Sequence, residues 1–129
     1  MTRAYWCVLI AAYLPIVWTG VAKSSGEFAG AGNHSPREFL ERLGGWRKRA
    51  HWAQLNAFEA FPPFAAAVII AHLMHAPQAR IDALAMAFVV LRVLHGIFYI
   101  LDRASLRSLV WFGAVACVIA LFVAAARAG

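Results

Sequence analysis

Four stretches of this sequence are each long and apolar enough to cross a lipid bilayer: residues 4–22, 50–75, 81–101 and 106–126. A bilayer core takes about 20 residues of helix at about 1.5 Å each, and a spanning segment must satisfy its own backbone there. The predicted fold is therefore an all-α membrane protein, one domain built as a four-transmembrane-helix bundle. Composition agrees: 63% of the residues are hydrophobic and 14% charged, whereas a soluble domain has about a quarter of its residues charged to cover its surface. An ordinary water-soluble fold is excluded. The net charge of +6 would point to nucleic acid in a soluble protein. Here the cations mostly flank the apolar runs, where topology and anionic lipid account for them and no nucleic-acid partner is expected.

The first run ends in a small-x-small pattern, Gly20 and Ala22 before Lys23, of the kind a signal peptidase cuts. It is longer than a usual signal core of about 7–15 residues, and is read as a span. Residues 23–49 change character, with Ser24-Ser25-Gly26, Gly30, Gly32-Asn33, Ser35-Pro36 and Gly44-Gly45, and read as a polar loop with a short helix over Pro36–Leu43. Four spans put both termini on the side of the second loop. That side carries three cations (Arg3, Arg80, Arg127) against eight around the first and third loops. The positive-inside rule then places the long loop in the cytoplasm. Tyr5 and Trp6 are expected as interfacial anchors on one face, and Trp18, Trp46, Trp52 and Tyr99 toward the other. Cys7 and Cys117 read as inert buried thiols. His72 and His75 share helical spacing but have no evident carboxylate or thiol nearby, so interfacial or subunit-contact roles are expected and no metal site.

The polar residues inside the spans carry the functional signal, because an ionisable group at membrane depth is costly. The second span holds Asn56 and Glu59, with Pro63 following; the third holds Arg92, His95 and Tyr99 at the same i, i+3, i+7 spacing. Each set occupies one helix face. Glu59 and Arg92 each lie nine residues from the loop-side boundary, about 13 Å deep by helical rise, so an antiparallel pair of helices would hold them level. A Glu59–Arg92 ion pair, within one chain or between subunits, is predicted. Arg107 and Ser108 open the fourth span on that side, with Arg103 and Arg47-Lys48-Arg49 near the mouth. With Glu59 matched, the residual field is positive and favours an anionic ligand.

The run Trp52-Ala53-Gln54-Leu55-Asn56-Ala57-Phe58-Glu59-Ala60-Phe61-Pro62-Pro63-Phe64 resembles the second-helix signature of MAPEG proteins, the membrane-associated proteins in eicosanoid and glutathione metabolism. Arg92-Val93-Leu94-His95-Gly96-Ile97-Phe98-Tyr99 resembles the third-helix signature, and Leu106-Arg107-Ser108 the opening of the fourth. The resemblance implies a homotrimer with glutathione bound between subunits near the cytoplasmic side. Asn56, Glu59, Arg92, His95 and Tyr99 would then bind glutathione, and Arg107 with Ser108 would stabilise its thiolate. The chain departs from some relatives in having Trp52 and Leu55 near Asn56 where they carry an arginine, and Trp111 where they carry a tyrosine. Its short connections look more like bacterial members, which implies an inner-membrane location.

Three functions follow. The leading one is a glutathione-dependent transferase or peroxidase acting on lipophilic electrophiles. The second is a non-catalytic lipid-binding or scaffold protein of the same family. The third, a small proton-coupled exporter, fits less well, because its buried carboxylate would belong in the first span, which has no carboxylate.

Overall fold

The computed structural model describes residues 1–24, 28 and 31–129. The Ser25-Gly26 and Gly30 portions of the expected polar loop lie outside the described residues. The helices are α1 (Arg3–Ala22), α2 (Ala31–His34), α3 (Pro36–Glu41), α4 (Gly45–Leu73), α5 (Gln78–Ile100) and α6 (Ala104–Ala128). No strand occurs among the described residues. Helices α1, α4, α5 and α6 are each long and apolar enough to span a membrane. The protein is an integral, multi-pass, all-α membrane protein.

Helix α4 begins at Gly45 rather than Ala50, so Arg47, Lys48 and Arg49 belong to its first turns. Gly45 has φ +59, a left-handed setting that suits glycine at the entry to the helix. Helices α4 and α5 both end in a Schellman arrangement. The His75 and Ala76 N–H groups donate to His72 and Ala71 carbonyls, and those of Asp102 and Arg103 to Tyr99 and Phe98. The left-handed position is filled by His75 (φ 57) and Asp102 (φ 58), where glycine is usual. These tight reversals make α4, α5 and α6 consecutive antiparallel neighbours. Two ends of the bundle follow: a loop end, where α4 and α6 begin, and a termini end, where α1 begins and α6 finishes.

The core is built on Phe64, Val68, Ile81, Phe88 and Leu121. Phe64 and Phe88 stack with centroids 3.9 Å apart. Ala50, Ala53, Ala57, Ala67 and Ala71 are buried along α4, so α1 approaches its backbone closely. Elsewhere the large apolar residues face outward: Leu9, Ile16, Ile70, Val90, Phe112 and Ile119 are all exposed on the protomer. In water such a surface would aggregate; in a bilayer it is the surface lipid solvates.

At the termini end α1 is tied down by polar contacts. The Asp82 carboxylate accepts from the Ala4 N–H and from Gln78 Nε2, both at 2.9 Å. His72 stacks on Tyr5 at 4.2 Å and donates through Nδ1 to the Val68 carbonyl at 2.8 Å. Its Nε2 lies 3.1 Å from the Thr2 hydroxyl, which also accepts from the Tyr5 N–H and so caps α1. His72 is thus a contact within the chain rather than one reserved for a subunit.

Candidate functional site

A cavity of about 350 Å³ opens at the loop end between α4, α5 and α6. Asn56, His95, Tyr99, Arg107 and Ser108 line it, joined by Trp111 and Phe112. The five polar residues come from three helices, and each is placed by helical spacing. Asn56 lies three turns into α4. His95 and Tyr99 are one turn apart near the end of α5. Arg107 and Ser108 lie where the first turn of α6 passes into the second.

The guanidinium of Arg107 lies over the Tyr99 ring, 4.5 Å from its centroid. His95 meets the same ring edge-on at 5.6 Å. Tyr99 therefore sits between the two groups and restricts both. Behind this layer the Trp18 indole packs against the backbone of Gly96, and a Cβ there would overlap it. Trp18 is buried, at 6% exposure. It braces α1 against the site helix instead of anchoring in the interface, unlike Trp46 and Trp52, which are exposed as expected of anchors. On the opposite flank Arg49 Nε donates to the Ile100 carbonyl at 3.0 Å. A cation at the C-terminus of α5 complements the helix dipole and fixes the approach of α4. Arg49 read as a topology signal in the sequence, and its structural contact had no local signature.

Arg92 is buried behind the cavity, at 3% exposure, and its Nη2 donates to Asn56 Oδ1 at 2.7 Å. This orients the Asn56 amide, leaving its NH2 group as a donor. The Glu59–Arg92 ion pair does not form within the chain: the ion pair among the described residues is the exposed Arg42–Glu38 pair in α3 and its cap. Glu59 is exposed on the outer flank of α4 and does not line the cavity. Residues three apart on a helix are offset by about 60°, and that offset turns Glu59 outward while Asn56 faces α5. Among the described residues no carboxylate lines the cavity; Arg107 supplies charge in its wall, and Arg92 lies buried behind it. Its chemistry suits an anion with hydrogen-bonding groups.

The indole of Trp111 is shared with a second, smaller cavity of about 140 Å³ that is almost wholly apolar and also touches Arg92, Phe88 and Pro63. The polar cavity thus adjoins an apolar recess deeper in the span. Pro63 lines it; with no N–H to donate to the Phe58 and Glu59 carbonyls, Pro62 and Pro63 interrupt the α4 ladder at that height. In the sequence Trp111 is a departure from a motif; its place in the wall between two cavities depends on how α6 packs on α4 and α5.

A bundle of four spans with a cationic, ligand-sized cavity at one end defines a helical integral membrane protein with a pocket at its bilayer boundary. The MAPEG family model matches residues 3–127, and the chain belongs to the MAPEG family. This is a family of membrane proteins concerned with glutathione-dependent transferase and peroxidase chemistry, in which glutathione generally serves as substrate or cofactor. No curated protein and no solved structure matches the chain.

Proposed function

We propose that the protein is a membrane-bound glutathione transferase or peroxidase acting on lipophilic electrophiles, with glutathione held in the loop-end cavity. The observation that carries this reading is the convergence of Arg107, Ser108, His95, Tyr99 and Asn56 on one cavity in a chain of this family. Its volume of about 350 Å³ falls within the range of small-ligand pockets, about 300–1,000 Å³. Glutathione carries two carboxylates and one ammonium, so its net charge is matched by a cavity walled by guanidinium and hydroxyl donors. A free thiol has a pKa of about 8.5, and a guanidinium beside the sulfur lowers it and raises the nucleophilic fraction at neutral pH. Arg107 is assigned that role and Ser108 a supporting hydrogen bond. In conjugation the thiolate supplies the electron pair for a new C–S bond while a halide leaves with the electrons of the broken bond.

Asn56, Arg92, His95 and Tyr99 are assigned to binding, and Glu59 to the ammonium or to the Arg92 of a neighbouring subunit. The outward setting of Glu59 supports assembly with further copies of the chain, since a carboxylate on the membrane-facing flank of α4 is costly unless another chain covers it; that these number three rests on the family resemblance. The charge asymmetry supports a cytoplasmic loop end, and the short connections, which resemble those of bacterial members, support a bacterial inner membrane. Trp111 favours a second reading, a lipid-binding member without thiol chemistry, because an indole N–H cannot replace a phenol in proton transfer.

Isothermal titration of the purified protein with glutathione, followed by turnover of a chlorinated nitroaromatic, separates these readings. Saturable binding with conjugation supports the enzyme. Binding of lipophilic ligands without glutathione binding supports the second reading. Proton-driven efflux from vesicles that Glu59→Gln abolishes would replace both with an exporter.

A further inference from the structure

A second groove lies at the termini end, on the outside of the α5–α6 hairpin, with a volume of about 540 Å³. Its floor is Ala116, Ala120 and Ala124, four residues apart on α6, so the small side chains stack along one face. Leu84 contributes an apolar wall, and Arg80 and Arg127 stand at its end. Arg80 is in the first turn of α5 and Arg127 in the last turn of α6, and because the two helices are antiparallel both guanidiniums come to one height.

Among the described residues no carboxylate lines this groove, and neither arginine enters an ion pair. Asp82, two residues from Arg80, is turned to α1 and holds Ala4 and Gln78. A groove that is apolar along its length and doubly cationic at the membrane surface complements one kind of molecule: an amphiphile with an anionic head and an acyl chain. Guanidiniums bind phosphate through paired N–H donors, and at this height the bilayer itself supplies phosphate esters.

We propose that the α5–α6 groove is a binding site for an anionic phospholipid, its phosphate between Arg80 and Arg127 and one acyl chain lying over Ala116, Ala120 and Ala124. The site is at the opposite end of the bundle from the glutathione cavity and does not depend on the reading of that cavity.

The test is native mass spectrometry of the protein released from nanodiscs holding equal phosphatidylglycerol and phosphatidylcholine. The wild type is expected to retain the anionic lipid over the zwitterionic one by on the order of tenfold. Arg80→Gln with Arg127→Gln removes that selection. Ala120→Leu fills the floor and lowers retention with both cations in place. Arg3→Gln, a cation at the same end but outside the groove, leaves selection unchanged. Thermal unfolding of each variant confirms that it is folded. Equal retention of the two lipids by the wild type overturns the proposal, as does selection that survives the double substitution or is untouched by Ala120→Leu. Efficient disulfide cross-linking of Ala120→Cys in native membranes also overturns it, since the groove is then a contact between copies of the chain.

Discussion

The two ends of the bundle carry polar groups into an apolar chain and use them in opposite ways. Where α1 begins, at the termini end, the polar atoms close on one another: Asp82 on Ala4 and Gln78, His72 on Val68 and Thr2, with Tyr5 stacked across. At the loop end Arg107, Ser108, His95 and Tyr99 face a cavity of about 350 Å³. Both arrangements meet the rule that polar groups near hydrocarbon must be satisfied. The first satisfies it within the chain and is a lock; the second leaves donors for something that enters. Polarity in a span therefore marks a candidate, and closure of the contacts decides between structure and function.

The comparison breaks most visibly at Arg107. Arg107→Ala is expected to lower the conjugation rate by about 10²–10³-fold, the range for loss of one electrostatic stabiliser of a developing anion, with glutathione affinity changed far less. The sign of the pH effect follows. In the proposed role the guanidinium would lower the thiol pKa, so the wild type would keep thiolate at pH values where the variant has lost it. The ratio of their rates is largest near neutral pH and shrinks as pH rises through about 8.5. A ratio that is flat with pH would remove the thiolate role. Asp82→Ala is the counterpart at the other end. It leaves the Ala4 N–H without its acceptor and is expected to destabilise by about 1–3 kcal/mol in thermal unfolding, with turnover at permissive temperature unchanged.

The spans were legible because their length is set by the bilayer, and most of the cavity because buried polarity is expensive enough to stand out: Asn56, His95, Tyr99, Arg107 and Ser108 line it together. Facing was not legible. Apolar residues run round each span, so no hydrophobic stripe says which side meets protein and which meets lipid. Hence Trp18 reads as an anchor although it is buried on Gly96, and Glu59 reads as the partner of Arg92 although within the chain Asn56 takes that position. Asp82 carries no signal in the sequence for a related reason. Near a helix end a carboxylate reads as a flanking charge, and only the tertiary approach of α1 shows what it holds.

Tyr99 sharpens the comparison within the site. Its ring supports Arg107 at 4.5 Å, and a cation over an aromatic face contributes about 0.5–2 kcal/mol. Tyr99→Leu is expected to lower kcat/KM by roughly 3- to 30-fold. Tyr99→Phe keeps the ring and is expected to stay near wild type. A loss of equal size in both variants would move the contribution to the phenol hydroxyl and to direct contact with the ligand.

The smallest effects separate the two ends most finely, because the same backbone device closes both. His75 and Asp102 hold left-handed conformations, φ 57 and φ 58. A side chain there costs about 1 kcal/mol that glycine does not, partly offset by the greater freedom glycine gives the unfolded chain. His75→Gly is expected to raise stability by about 0.5 kcal/mol in thermal unfolding. Asp102→Gly gives less, since aspartate tolerates this region through local hydrogen bonding. Activity divides them. Asp102 joins α5 to the start of α6, which carries Arg107 and Ser108, so a looser turn there is expected to lower kcat/KM by about twofold. His75 joins elements at the locked end and leaves kcat/KM unchanged. Equal kinetics in the two variants would mean that the turn before α6 has no part in aiming Arg107, and that the helix packing alone holds the guanidinium over Tyr99.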